Sequence, residues 1–287
     1  MTADRIGRRT AGVARAFVLS ASLVLAACAA KPLSLPSEHG APSPDAPAAY
    51  VEATSQCRGV KSLSAELALS GRAAGTKLRG RIVGGFAAPG KIRLEAPAPF
   101  GRPVFTLVAR GETATLVLNR DRRVVRDASP AALVEALAGV SMGPDDLRGA
   151  VAGCGFSGAD LAGGESYPGD WIAGDAGGAR AWLRKVDGAW RLVATARGPL
   201  EIRYDQFVSG RPSVVQLRST AQGNPATDIT LRLSQVDINV PLEDSVFDVE
   251  VPADAQPMTL DELRRSGTLG SASGSDGRPP GGEPERP

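Results

Sequence analysis

Apolar and polar residues alternate at every second position through most of this chain, which limits what it can fold into. Leu63 and Leu67 fall on one face of a predicted strand over residues 63–70, whereas Glu66 falls on the other. Similar runs recur in about eleven segments. The Asp-Gly pair at 187–188 suits a tight hairpin turn, which needs positive φ. The pattern predicts a mainly β domain of antiparallel strands, each solvated on one face and covered on the other.

Three helical segments interrupt the strands. One begins at Pro130, after the N-cap residue Ser129, and ends at Gly139. A second spans residues 144–153 and carries two aspartates in its first turn, where the helix dipole favours acids. An earlier helix is predicted over residues 47–56. Because two of the helices form one block between strands, we expect them to cap a curved sheet.

The amino-terminal region has the order of a secretory signal, with arginines, the uncharged residues 16–27 and then Cys28. Twelve residues of helix cover about 18 Å, too little for a hydrocarbon core of about 30 Å. The sequence Leu-Ala-Ala-Cys at 25–28 resembles the lipobox of bacterial lipoproteins. That resemblance implies cleavage before Cys28 and its modification with diacylglycerol and a further palmitate-type acyl chain. An ordinary secretory signal with a chance cysteine is the alternative.

Composition divides the chain into four parts. Residues 1–27 form the predicted signal peptide, 28–47 a lipidated flexible linker, 48–265 one folded domain and 266–287 a tail. The linker is rich in Pro, Ala and Ser, and the tail in Gly, Ser and Pro, so we expect both to be disordered. The net charge of +2 gives no indication of nucleic-acid binding.

Two cysteines remain in the predicted domain, Cys57 and Cys154, and two cysteines permit a single bridge. Because exported proteins meet an oxidising compartment, we expect a disulfide. In the chain-entropy model it would stabilise the folded domain by about 4 to 5 kcal/mol. Two separate buried thiols are the alternative.

The residues available for chemistry argue against an enzyme. The single histidine, His39, lies in the predicted linker, so the domain cannot assemble a histidine-based nucleophile or metal site. Gly153, Gly155 and Gly158 have the spacing of a dinucleotide-binding loop, but they follow a helix rather than a strand. We therefore expect a flexible connection there, and no catalytic residue, metal or cofactor.

The stretch KIRLEAPAPFGRPVFTLVARG, followed by SPAALVEALAGVSMGPDDLRGAVAGCGF, resembles the LolB family of outer-membrane lipoprotein receptors, within the wider group of LolA- and LolB-like carriers. The resemblance covers roughly residues 48–156. It matches the family's loop between two strands and its pair of helices at these residues: Pro99, Phe100, Gly101, Leu137, Gly139, Pro144, Leu147 and Gly153. It implies an incompletely closed antiparallel β-barrel of about eleven strands, covered by a helical lid.

The resemblance also implies room for acyl chains between barrel and lid, and acyl chains require only apolar walls. The candidate wall residues are Leu67, Leu69, Ile82, Ile92, Leu94, Phe105, Leu107, Leu116, Leu118, Leu133, Leu137 and Leu147. The alternative is that these side chains fill a solid core. The partners implied are acyl chains of lipoproteins or other lipids, a periplasmic LolA-like carrier, and the outer membrane. We expect a monomer, held by its lipid anchor on the periplasmic face of that membrane.

Phe100 is the most specific candidate for a functional residue. It stands among prolines at a turn between strands, where a large apolar side chain is unexpected unless it folds back or faces a membrane or partner. The family match places it where LolB-like receptors carry an exposed apolar residue used in delivering lipoproteins. Three functions follow as hypotheses: insertion of lipoproteins into the outer membrane, carriage of another lipid or glycolipid, or a non-catalytic envelope scaffold.

Overall fold

The computed structural model describes residues 33–73, 76–156, 160–220 and 227–266. The chain divides into two compact units, residues 1–35 and 36–287, and all of the elements below belong to the second. The predicted signal peptide, Cys28, Gly158 and tail residues 267–287 lie outside the described residues.

The described residues form one sheet of fifteen strands. Twelve of these strands have six residues or more and match the alternating segments of the sequence. The strands are β1 (Ala41–Pro42), β2 (Ser62–Ala73), β3 (Thr76–Ala87), β4 (Lys91–Ala96), β5 (Phe105–Arg110), β6 (Thr113–Leu118), β7 (Arg123–Ala128), β8 (Glu165–Tyr167), β9 (Trp171–Ala176), β10 (Ala179–Val186), β11 (Ala189–Arg197), β12 (Leu200–Val208), β13 (Arg211–Ser219), β14 (Thr227–Ile238) and β15 (Gln256–Pro257).

Neighbouring strands follow the order β1-β8-β9-β10-β11-β12-β13-β14-β2-β3-β4-β5-β6-β7-β15. Every pair is antiparallel except β15 with β7. The long pairing of β14 with β2, from Asp228 opposite Arg72 to Ile238 opposite Leu63, joins an amino-terminal half (β2–β7) to a carboxy-terminal half (β9–β14). Within the described part of the chain the two outermost strands do not pair with each other, so the sheet is not closed. The prediction of an open antiparallel barrel is confirmed.

Four α-helices accompany the sheet in the described residues: α1 (Ala46–Arg58), α2 (Pro130–Ala138), α3 (Pro144–Ala152) and α4 (Leu260–Ser266). The first helix packs on β9, β10 and β11, the second on β6 and α4, and the third on β3, β4 and β13. We call the sheet face that α1, α2 and α3 cover the helix-covered face. The predicted helical lid is thus present. No helix among the described residues has both the length and the apolar composition to cross a membrane.

The opposite, outer face of β4 and β5 is covered by residues 244–248. They belong to the segment 240–258, which we call the strap. Phe247, in the short 3-10 helix Asp244–Phe247, is only 1% exposed. Arg93 donates hydrogen bonds to the carbonyl oxygens of Val246 and Asp248, at 3.0 and 2.7 Å, and Arg110 donates one to the carbonyl of Phe247 at 3.0 Å. Lys91 donates a hydrogen bond to the Asp244 carboxylate, which lowers the pKa of that carboxyl group. Strand β5 is therefore buried on both faces.

Part of the predicted linker has regular structure in the described residues. Ala41 pairs with Ser166 of β8, and α1 already begins at Ala46. The Trp182 indole donates a hydrogen bond to the carbonyl oxygen of Pro36 at 3.3 Å. At the other end of the domain, Ser266 is the last residue of α4. Residues 36–45 thus lie against the edge of the carboxy-terminal half.

Candidate functional site

All of the predicted wall residues meet on the helix-covered face of the amino-terminal half. Register explains this, since Leu67 lies opposite Ile82 and Leu107 lies between Leu94 and Leu116 on the neighbouring strands. Eight are buried in one apolar cluster: Leu67, Ile82, Ile92, Phe105, Leu107, Leu116, Leu118 and Leu133. The other four are half-buried and pack against it: Leu69, Leu94, Leu137 and Leu147. The alternation along the strands therefore brings together one continuous apolar surface beneath α2 and α3.

A small pocket of about 90 Å³ lies at the end of this cluster, and we call it the loop pocket. Leu69, Ile82 and Phe105 reach it from the predicted wall set, and Pro97 and Val104 border it from the loop between β4 and β5. Its volume is well below the range of about 300–1,000 Å³ typical of ligand pockets. The loop pocket thus marks an opening in the apolar cluster rather than a full acyl-chain cavity.

Phe100 projects from the loop of residues 97–104 that borders this pocket. Its side chain is 93% exposed and does not fold back onto the domain. Two hydrogen bonds fix the base of the loop. The Val104 amide donates one to the Ala96 carbonyl oxygen at 2.8 Å, and the Asn119 side-chain amide donates the other to the Pro103 carbonyl oxygen at 2.9 Å. Gly101 adopts φ +80° beside Phe100, a conformation that glycine adopts without strain. The loop therefore exposes a single aromatic ring to water and borders an apolar opening at its base.

Basic side chains surround the same end of the sheet. Lys77, Arg79 and Arg81 are exposed on β3, and Arg102 is exposed in the loop itself. Arg81 lies 3.7 Å from the carboxylate of Glu66, a weak contact for an exposed ion pair. An exposed aromatic ring with cations around it has the chemistry of a surface that meets a membrane of anionic lipids.

A larger cavity of about 350 Å³ lies elsewhere, and we call it the hairpin cavity. It is bordered by the β12–β13 hairpin (residues 208–213), the last part of β14 (233–238), Leu63 of β2 and the final residues of α3. None of the twelve predicted wall residues lines it. Periodicity could not have found it, because the cavity depends on where the end of α3 meets a hairpin more than fifty residues further along the chain.

The helical lid is fastened at the end of α3. Cys57, in the last turn of α1, and Cys154 form a disulfide with a Cα–Cα distance of 5.6 Å. Arg148 donates a hydrogen bond to the carbonyl of Val60 at 2.6 Å, and Asp146 pairs with Arg197 of β11. These interactions tie α1 and α3 to each other and to the sheet.

The glycine-rich run after α3 has a structural role in this arrangement. Gly153 ends α3 with φ +89°, and a Cβ there would lie 2.7 Å from Pro212. The Gly155 amide donates a hydrogen bond to the Tyr204 hydroxyl at 2.8 Å. Burial raises the pKa of Tyr204, so its hydroxyl stays neutral. Close packing requires glycine at both positions. Gly153 and Gly155 are therefore held in place, in contrast to the flexible connection that the sequence predicted.

No family model and no curated protein sequence matches this chain. Among solved structures, a DUF1329 family protein from Desulfovibrio piger is 13% identical with a TM-score of 0.48, over 72% of this chain and 98% of that one. A LolA superfamily protein from Nitrosomonas europaea is 13% identical with a TM-score of 0.48, over 71% and 97%. The Mycobacterium tuberculosis lipoprotein LppX is 14% identical with a TM-score of 0.31, over 70% and 98%. A function for this chain therefore has to be inferred from its own residues.

Proposed function

We propose that this protein is a lipid-anchored protein of the outer membrane that binds acyl chains against its apolar interior and inserts lipoproteins into that membrane. The exposure of Phe100 carries the proposal. A phenylalanine that is 93% exposed leaves an apolar side chain in water, whose burial would be favourable by about 1.5–3 kcal/mol. In a bilayer that ring would be buried, so the loop of residues 97–104 would favour contact with lipid.

The position of the loop supports transfer rather than membrane contact alone. The loop borders the pocket that Leu69, Ile82 and Phe105 line, so a chain leaving the apolar cluster at this end would emerge next to Phe100. Each nearby Lys or Arg adds about 1 kcal/mol of attraction to an anionic lipid surface. Anchoring at Cys28 would keep the protein at its membrane and is part of the proposal, as is delivery of cargo by a periplasmic LolA-like carrier.

Opening of the lid would provide the space that acyl chains need. The buried wall residues are packed beneath α2 and α3, and the half-buried Leu137 and Leu147 belong to those helices. A chain would enter by displacing these two side chains, since apolar contacts with the lid can be exchanged for apolar contacts with an acyl chain at little cost. The strands below would remain in place because backbone hydrogen bonds hold them.

Transfer of a fluorescent triacylated lipopeptide to vesicles of phosphatidylethanolamine and phosphatidylglycerol tests the proposal. Phe100→Glu places a charge where the ring would enter lipid, so we expect the transfer rate to fall at least tenfold while the thermal unfolding midpoint stays unchanged. Val51→Glu is the matched control, because Val51 is an exposed apolar residue of α1 with 48% of its surface in water. An unchanged transfer rate in Phe100→Glu would exclude the role of this loop.

Cellular depletion separates lipoprotein insertion from carriage of another lipid. When the protein is depleted, we expect lipoproteins of the outer membrane to accumulate at the inner membrane, and a Phe100→Glu copy to leave them there. If their distribution does not change, mass spectrometry of lipids that purify with the protein in gentle detergent would identify the alternative cargo.

A further inference from the structure

The hairpin cavity is lined by none of the predicted wall residues, although its floor belongs to the same apolar cluster. By strand register it lies at the opposite end of β2 from the loop pocket, since Leu63 lines the former and Leu69 the latter. Its floor is apolar, with Leu63, Val151 and Ala152 all buried. Its volume of about 350 Å³ is within the range of about 300–1,000 Å³ for small-molecule pockets. If each carbon group takes about 30 Å³, the volume of one water molecule, the cavity holds a chain of about ten carbon atoms.

Arg211 lines this cavity without a partner for its charge. Its Nε atom is buried and makes no hydrogen bond, and among the described residues Arg211 forms no ion pair. Two other arginines of the described residues have a buried Nε without a hydrogen bond, but Arg123 lies 3.4 Å from Glu262 and Arg218 lies 3.5 Å from Asp228. Of these three arginines, only the half-buried Arg211 has no carboxylate beside its guanidinium. A partly buried cation is costly unless it is paired.

The surroundings of Arg211 favour an anion that enters from solvent. A second guanidinium, that of Arg191, lies 3.4 Å from the position that a Cβ would take at Gly210, in the turn next to Arg211. No ion pair involves Arg191 in the described part of the chain either. At the rim, Val208 is 65% exposed and Val236 is 37% exposed. The cavity thus combines an apolar interior, an apolar rim and unpaired positive charge at its mouth.

We propose that the hairpin cavity is a binding site for a single-chain amphiphile with an oxyanion headgroup, such as a fatty-acid carboxylate or an alkyl phosphate. The chain of about ten carbons occupies the apolar space between Leu63 and the end of α3. The oxyanion accepts hydrogen bonds from the Arg211 guanidinium, whose planar fork suits both carboxylate and phosphate. The site is separate from the Phe100 loop and does not depend on the transfer function proposed above.

Calorimetric titration of the purified full chain with decanoate, decyl phosphate and decanol tests this site. We expect both anions to bind at least tenfold more tightly than decanol, because the alcohol leaves the guanidinium without a countercharge. The tighter of the two anions identifies the headgroup as carboxylate or phosphate. Arg211→Gln keeps a polar side chain but removes the charge, so it should lower the affinity for both anions at least tenfold and leave that for decanol unchanged.

Two further variants fix the location of the bound chain. Ala152→Phe adds a ring to the floor of the cavity and should abolish binding of all three compounds. Arg126→Gln, which alters an exposed arginine of β7, should bind them as the wild type does. Phe100→Glu should also bind decanoate normally, which separates this site from the transfer loop. Equal affinity for decanol and decanoate, or wild-type decanoate binding by Arg211→Gln, would overturn the proposal.

Discussion

The two halves of the sheet have six long strands each but differ in how those strands are connected. In the carboxy-terminal half, β9–β13 are joined by two-residue turns at 177–178, 187–188, 198–199 and 209–210. Each turn has a glycine at positive φ, which matches the twist of the strands. In the amino-terminal half, by contrast, the eight residues 97–104 join β4 to β5. A hairpin needs only two residues there, so this loop is six residues longer than the connection requires. The carboxy-terminal half has one connection of similar length, residues 220–226 between β13 and β14.

The halves also differ in what covers them. Among the described residues, α1 covers one face of β9–β11. Strands β4 and β5 belong to the helix-covered face on one side and are covered by the strap on the other. The three tryptophans, Trp171, Trp182 and Trp190, all lie in the carboxy-terminal half. The carboxy-terminal half is thus a simple meander, and the amino-terminal half is buried more deeply and carries the exposed loop. The transfer role that we propose belongs to the amino-terminal half, because the exposed loop lies there.

Removal of the Phe247 side chain should have the largest effect on stability. Phe247 is 1% exposed against the outer face of β4 and β5, so Phe247→Ala leaves a cavity and should lower the free energy of unfolding by about 3–5 kcal/mol. Guanidinium unfolding measured by far-UV circular dichroism gives this change. The matched control is Phe100→Ala, which removes the same side chain from an exposed position and should change stability by less than about 0.5 kcal/mol.

Tryptophan fluorescence in the same experiment tests whether the halves unfold together. Fluorescence reports only on the carboxy-terminal half, whereas circular dichroism reports on both. Because β14 pairs with β2 along most of their length, with one register shift between Ser234 and Asp237, we expect both signals to shift by the same amount in Phe247→Ala. If the fluorescence transition stays at its wild-type position, the two halves are independent folding units.

Loss of the disulfide should have the next largest effect. The bridge closes a loop of 97 residues between α1, which packs on the carboxy-terminal half, and the segment after α3. The paired change Cys57→Ser with Cys154→Ser should lower the free energy of unfolding by about 2–5 kcal/mol, since the unfolded chain regains conformational freedom. Equilibrium unfolding with and without reductant provides the control, because the serine variant should not respond to reductant. A wild-type chain that reductant does not destabilise would contradict this expectation.

Local patterns in the sequence were sufficient to predict the simple parts of this fold. Asp187 and Gly188 adopt the positive φ values that their turn requires, and β10 and β11 flank them as alternation indicated. Helix α2 begins at Pro130 and has Gly139 as its left-handed C-cap, as the start and stop residues in the sequence predicted. Turns and helix ends are determined by a few adjacent residues, so the sequence reveals them directly.

Features that depend on distant residues were not predictable in the same way. The strap has no periodicity, and Phe247 is buried where Arg93 and Arg110, more than a hundred residues earlier, bind the backbone around it. A signal was present in β5, whose run FTLVA contains a single polar residue, Thr106, and so indicates burial on both faces. The unpaired charge of Arg211 carried no such signal, because an arginine after a turn usually faces solvent.

Replacement of residues 97–104 by Asn-Gly should have the smallest effect on stability and the clearest effect on transfer. The Ala96–Phe105 pair would become the end of a two-residue hairpin like those of the carboxy-terminal half. Shortening the loop lowers its closure cost by about 1 kcal/mol, and the new turn replaces the Val104–Ala96 hydrogen bond. Loss of the two hydrogen bonds that Asn119 donates to Pro103 and Val104 costs about 1 kcal/mol each. We therefore expect the free energy of unfolding to fall by only about 1 kcal/mol, whereas lipopeptide transfer to vesicles is lost. Phe100→Ser in the full-length loop is the control, and it should reproduce most of the transfer defect. Normal transfer by the shortened chain would show that the difference in loop length between the halves has no functional meaning.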